Sequence, residues 1–410
     1  MTELAKDAIL EGRLSSIFSK DNIVLLDAGL GTTLEDVLRK DISHPLWSAH
    51  LIDSEPEAIV QAHLAFLKAG SAIILTATYQ CAPETFLRAG YSAEKVEDIM
   101  HKAVQLAVQA RDQYLQTSKL NVPTPKIALS LGPYGATMSP AAEFSGIYSP
   151  PYGPLQPSTS FRSSDSSDNT QKEQEAEDAL VKFHLSRLQV FASSPETWNS
   201  IDIIAFETVP LLREARAIRR AMTLLASTSL SAQIPPWWIS FNFAEGVLAE
   251  QGPAGDHYTA ADAVRACFDQ EVRPHTSTPT AYGINCTHIK HVKKSLQLAS
   301  QALGELSGAH LAGTDPVSLS RLGIQGKSTG PGLVLYPNGG RVYVPSTMTW
   351  LPPSPTIPEL NDATEAQVWA RKLVAAVVEG VPREAGWSGL IIGGCCKTEP
   401  DYLSALRHLF

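Results

Sequence analysis

No stretch of this sequence approaches the roughly 18 consecutive apolar residues that mark a membrane-spanning helix, and none is expected. The opening segment, MTELAKDAILEGRL, is charged throughout and lacks the apolar centre of a secretory signal. A soluble, cytoplasmic protein is therefore expected. Long basic runs are also missing, and the formal net charge is −9. A nucleic-acid backbone would find no counter-charge here, so neither nucleic acid nor membrane is an expected partner. The glycine-rich turn DAGLGTTLE, at 27–35, matches neither GxGxxG nor a P-loop, which argues against a nucleotide cradle. Cysteine is scarce, with five in 410 residues: Cys81, Cys267, Cys286, Cys395 and Cys396. In a reducing compartment these read as thiols or metal ligands rather than as a disulfide framework.

What the sequence does have is alternation. Short runs rich in β-branched residues recur at Ile23–Leu26, Ala72–Ala77, Lys126–Leu131, Asp202–Phe206, Trp238–Phe241, Ala281–Cys286, Leu333–Tyr336 and Gly389–Gly393. Between them lie amphipathic stretches, including Glu57–Lys68, Glu94–Gln116, Glu173–Phe191, Leu211–Ala226, Thr259–Phe268 and Glu365–Glu379. Strands alternating with helices imply a parallel sheet with helical crossovers. Eight such units imply an α/β fold of one (β/α)8 TIM-type barrel spanning 1–410, in preference to an open doubly wound sheet with a second domain. Two stretches read as surface insertions. Residues 156–171 are Ser/Asp/Thr-rich and are expected to be disordered and dispensable; residues 304–332 have no convincing period and are expected to be irregular.

The chemistry gathers where strands end. AYGINC finishes on Cys286, and SGLIIGGCC finishes on Cys395 and Cys396. In a parallel barrel all strand C-termini share one face, so these thiols can meet at one mouth. Three thiolates suit zinc and leave its fourth position open, as catalytic zinc sites require. Gly393 and Gly394 give the backbone freedom for adjacent cysteines to aim at one point. Simple burial of the thiols, or a vicinal disulfide, remains an alternative at this stage. Cys81 and Cys267 read as packing residues. His288 and His291, in CTHIKH, are a rival ligand pair, though a helix starting there would leave them on the surface. Asp27 closes the first strand and Glu207 follows the fourth, so both are expected at the same mouth. The plain alternatives are a helix cap for Asp27 and a first-turn charge for Glu207.

With GINC at 283–286 and GGCC at 393–396, followed by KTEPDYLSALR, the chain resembles the homocysteine S-methyltransferases. LLDAGLGTTLE, HLAFLKAGSAIILTATYQ, GPYGA, EFSGIY, FETVP and YPNGG support the likeness, which runs from about Asn22 to Leu406. It departs from the family pattern at Ala28 and Thr33 in the first turn, and at Gly339, where serine is common.

The resemblance implies a zinc ion held by Cys286, Cys395 and Cys396, with the sulfur of homocysteine in the fourth position. It implies methyl transfer to that thiol, giving methionine, from a sulfonium donor, either S-methylmethionine or S-adenosylmethionine. Asp27 and Glu207 would bind the substrate ammonium by charge-assisted hydrogen bonds. Backbone amides around Gly29–Thr32 would hold its carboxylate; Tyr79 and Asn285 would add contacts. Trp47 and Tyr79 are candidates for cation–π attraction to the sulfonium. A noncatalytic or regulatory zinc-binding barrel and a selenocysteine-directed methyltransferase are the alternatives. Oligomeric state is not legible.

Overall fold

The computed structural model describes residues 3–118, 122–161, 166–228, 234–270, 275–307, 316–325, 330–344, 349–351 and 363–410. Eight parallel strands form the central sheet: β1 (Ile23–Leu25), β2 (Ile73–Leu75), β3 (Lys126–Leu131), β4 (Ile203–Val209), β5 (Trp237–Phe241), β6 (Ala281–Asn285), β7 (Gly332–Tyr336) and β10 (Leu390–Ile392). β8 (Val342–Val344) and β9 (Thr349–Leu351) pair antiparallel, outside that sheet. The order runs β1-β10-β7-β6-β5-β4-β3-β2 without reversing. A parallel bridge between Leu26 and Ile73 joins its two ends. This is the expected TIM-type barrel, nearly closed, and not a doubly wound sheet.

The longer helices are α1 (Glu3–Ser15), α2 (Pro56–Ala69), α3 (Ala93–Thr117), α4 (Ser166–Ala192), α5 (Leu212–Ala226), α6 (Ala260–Phe268), α7 (Ile289–Ser307), α8 (Glu365–Gly380) and α9 (Pro400–Arg407). Their sequences explain them. In α2, Pro56 sits in the first turn, Ile59, Val60, Leu64, Phe66 and Leu67 bury one face, and left-handed Gly70 stops the helix. In α6, Thr259 and Asp262 form a capping box.

Alternation along the strands divides two cores. Val24, Leu26, Ile73, Ala128, Ile203, Ala205, Trp238, Ala281, Val334, Tyr336 and Ile391 fill the barrel interior. Their strand neighbours, among them Leu25, Ile74, Ile204, Ile239 and Leu335, pack outward under the helices.

The described residues of the two insertions include regular structure. α4 starts at Ser166 rather than Glu173, and residues 162–165 lie outside the described residues. Upstream, the Thr159 hydroxyl donates to Ala249, and the Arg213 guanidinium lies 5.0 Å over the Phe161 ring. The second stretch is not wholly irregular. A helix at Pro316–Leu322 brings Leu319, Leu322 and Ile324 against Val24 and Ala281 of the barrel interior. Residues 308–315 and 326–329 lie outside the described residues. A seven-residue helix is too short to display a period, which is why composition alone missed it.

Candidate active site

The three cysteines converge as the strand ends require. Sγ of Cys396 lies 3.9 Å from that of Cys286 and 4.0 Å from that of Cys395. All three sulfurs fall within 4.8 Å of one another. Local backbone makes this possible. β6 stops at Asn285, one residue earlier than expected, and Cys286 turns left-handed at φ 46°. That conformation is uncommon outside glycine, and the Asn338 side chain supports it by donating to the Cys286 carbonyl at 3.2 Å. Gly393 and Gly394 do not use their freedom at positive φ. They are needed for close approach: a Cβ on Gly393 would stand 2.4 Å from the Asp27 carbonyl, and one on Gly394 2.4 Å from the Thr398 hydroxyl. Gly339 lies so close to the Lys397 carbonyl that no side chain would fit.

The donor set fits zinc. Sulfur–sulfur separations near 3.9 Å match the edge of about 3.8 Å that a tetrahedron with 2.3 Å metal–sulfur bonds would have. Hydrogen bonding toward Cys396 from Cys286 and Cys395 holds the Cys396 thiol well below the ordinary thiol range. Among the described residues, these three form the one group able to hold a metal; His288 and His291 do not join it. The His291 ring instead lies against Gly246. Cys81 and Cys267 are fully buried, and burial pushes both thiols up to about 12.

Asp27 is completely buried, and it is not a helix cap. Its Oδ2 accepts the Leu75 amide at 2.7 Å from the neighbouring strand, while Oδ1 has no hydrogen-bond partner among the described residues. Desolvation raises its pKa well above the carboxylate range, and the charges of Glu207 and Cys395 add to that. Glu207 lies within β4 rather than in a helix. The strand register shifts between Phe206 and Val209, and Thr208 takes φ 58°. Such a bulge re-aims the side chain beside it. The Glu207 carboxylate accepts from the Ser130 hydroxyl, and burial lifts its pKa to about 8.

The remaining candidates divide. Asn285 holds the bulge: its Oδ1 accepts the Thr208 amide at 2.8 Å and its Nδ2 donates to the Thr208 hydroxyl at 2.7 Å. Gly29 and Thr32 stitch the first turn to the cysteine loop. The Gly29 amide donates to Thr398, and the Thr32 hydroxyl accepts from the Lys397 amide at 2.9 Å. The Trp47 indole packs over that turn, so close to Gly31 that a Cβ there would clash with its ring. The Tyr79 phenol lies within reach of the charges of Glu143, Cys286 and Glu207, and burial pushes its pKa well up. Buried Arg187 fixes its backbone by donating to the carbonyls of Tyr79, Cys81 and Gly132.

One residue escaped the sequence reading. Glu143 has a buried Oε2 that accepts no hydrogen bond, and burial pushes its pKa up to about 7. Its motif, EFSGIY, is visible in the sequence, but it lies in a loop where no periodicity indicates direction.

A family model described as Homocysteine S-methyltransferase matches residues 24–410. Homocysteine S-methyltransferase YbgG of Bacillus subtilis (strain 168) is 28% identical, over 94% of this chain and 93% of its own. Homocysteine S-methyltransferase 1 of Arabidopsis thaliana is 28% identical, over 98% of this chain and 97% of its own. A selenocysteine Se-methyltransferase of Brassica oleracea var. italica is 29% identical, over 93% and 87%. Among solved structures, the metallated form of the homocysteine methyltransferase MmuM from Escherichia coli aligns with a TM-score of 0.59 at 23% identity. That alignment covers 96% of this chain and 99% of the other, and it bears on the fold.

Proposed function

The chain belongs to the homocysteine S-methyltransferase family, and we propose that it moves a methyl group from a sulfonium donor to the thiol of homocysteine through a zinc-holding cysteine triad. The observation that carries this reading is the pairing of three sulfurs within 4.8 Å with two buried carboxylates, one of them with an unpartnered oxygen.

Cys286, Cys395 and Cys396 would hold the zinc. When bound, it supplies deprotonation: an ordinary thiol, with pKa about 8.5, becomes a thiolate at neutral pH. The side chains around it perform the rest. Asp27, through its unpartnered Oδ1, and Glu207 accept the substrate ammonium by charge-assisted hydrogen bonds. The first amides of the Leu30–Thr32 turn face the carboxylate. Those of Gly29 and the Thr32 hydroxyl are engaged with the cysteine loop. Tyr79 and Trp47 line the approach with aromatic surface, suited to a cationic sulfur. A sulfonium leaves as a neutral thioether carrying the electron pair of the broken carbon–sulfur bond, so no general acid is required. Alignment is the remaining task.

A second acceptor merits testing because a selenocysteine Se-methyltransferase is among the relatives. The experiment is methionine formation from homocysteine with S-methylmethionine, S-adenosylmethionine, betaine and methylfolate, with and without a zinc chelator, and then with selenocysteine as acceptor. Turnover with a sulfonium donor that chelation abolishes is the expected result. Turnover with betaine or methylfolate alone, or full activity after complete zinc removal, would overturn the reading.

A further inference from the structure

We infer that Glu143 is the counter-charge for the sulfonium centre of the methyl donor. The inference rests on the sulfonium reading above and deepens it by assigning the donor its own carboxylate.

A carboxylate oxygen sealed from water without a hydrogen bond is costly, and such groups persist where something else satisfies them. Among the described residues nothing does so for Oε2 of Glu143. Burial pushes its pKa up, and a hydrogen bond from its own backbone opposes that. The group that completes it in our reading is a bound ligand that carries positive charge or a donor proton.

Its location says which ligand. Asp27 and Glu207 interact with Cys395 and with each other. Glu143 acts instead on Cys396 and on Tyr79. Tyr79 feels the charges of both Glu143 and Glu207, so it lies within electrostatic reach of each. The acceptor's ammonium is spoken for on the Cys395 side. The part of the mouth that Glu143 and Tyr79 share, with an aromatic ring and a carboxylate oxygen without a hydrogen bond, has the chemistry that receives a sulfonium.

The position is also built rather than incidental. The Ala142 amide donates to the Gly135 carbonyl at 2.9 Å, and a Cβ on Gly135 would stand 2.8 Å from the Glu143 amide nitrogen. Both ends of this loop are tied to one carboxylate of α5: the Tyr134 amide at 2.7 Å and the Tyr148 hydroxyl at 2.6 Å donate to Glu214, which His184 also contacts at 3.0 Å. The backbone that carries Glu143 is therefore held before any ligand arrives.

The chemistry gives this role a signature. As the methyl passes to the acceptor sulfur, the donor's positive charge disappears, and the departing thioether is neutral. Glu143 then stabilises the bound donor more than the transition state, and favours the product least. Replacing it should raise the KM for donor without lowering kcat.

The test uses the full-length zinc-loaded enzyme and Glu143→Gln, with Glu143→Asp as a second variant and zinc content and circular dichroism as checks on folding. S-Methylmethionine and trimethylsulfonium serve as donors, the latter carrying no charge except at sulfur. A ten- to hundredfold rise in KM for both donors, with kcat held or raised and the KM for homocysteine steady, supports the assignment. A rise for S-methylmethionine alone would assign Glu143 to the donor's ammonium and overturn it. An effect on homocysteine alone, a fall in kcat with both KM values steady, or no effect would also overturn it. Failure of the wild-type enzyme with every sulfonium donor would instead fault the reading on which the inference rests.

Discussion

Asp27 has two oxygens with different employment, and that division makes it testable. Asp27→Asn can keep the bond to the Leu75 amide through its carbonyl oxygen, but it turns an amide toward the substrate in place of Oδ1. The expected outcome is a loss of about 1.5–3 kcal/mol of binding, or ten- to hundredfold in catalytic efficiency with homocysteine. A simple thiol without an amino group should lose far less; equal losses on both would place the carboxylate's effect elsewhere. A second residue-scale prediction lies far from the chemistry. His63 is fully buried in α2, neither ring nitrogen is hydrogen-bonded among the described residues, and burial lowers its pKa to about 4. The unfolded chain accepts this proton near pH 6.5, whereas the folded one refuses it until about 4. Stability is thus present above 6.5 and is lost as pH falls toward 4, by about 3 kcal/mol at the limit. Thermal midpoints at pH 7 and 4.5 should fall further for wild type than for His63→Leu. Parallel declines would show that the ring does not titrate as described.

At the scale of elements, the bulge in β4 is the feature on which the carboxylate geometry depends. Thr208 is β-branched and sits at φ 58°, a costly conformation. The Asn285 side chain compensates by satisfying both its amide and its hydroxyl. Asn285→Ala should therefore destabilise the fold by about 1–3 kcal/mol, because a buried amide loses its acceptor. It should also lower activity by letting Glu207 swing from its place. Asn285→Asp retains an acceptor for the amide and should recover part of the stability; a melt unchanged in Asn285→Ala would contradict this. The bulge also marks where sequence reading stops. The placement of Asp27, Glu207 and the cysteines at one mouth was legible, since strand ends in a parallel barrel share a face. That Asn285 is committed to Thr208 was not, because the partners are 77 residues apart on different strands. Nor was the anchorage of Phe161 on Arg213, which ties down part of a stretch whose polarity reads as loose.

Across the whole molecule the hydrogen-bonded ladder is uneven. β6 and β7 pair through five residues, from Ala281 with Gly332 to Asn285 with Tyr336. β1 and β2 meet through the single bridge of Leu26 with Ile73, the bond from the Ala72 amide to Leu25, and the Asp27 carboxylate on the Leu75 amide. Amide hydrogen exchange should be faster at Ala72 and Leu75 than along β6 and β7, since local opening follows the density of such bonds. Saturating homocysteine should slow exchange at Leu75 more than at β6. Protection spread evenly around the ring would argue against a special seam. The last clasp of this barrel is then the same carboxylate that we assign to the incoming amino acid. A ligand gripping Asp27 from inside immobilises the acceptor of the Leu75 amide, and the cylinder tightens along that one meridian. Each departing product leaves the meridian freer to breathe. Turnover would thus be recorded as a rhythm of opening on the side of the barrel where its two ends meet.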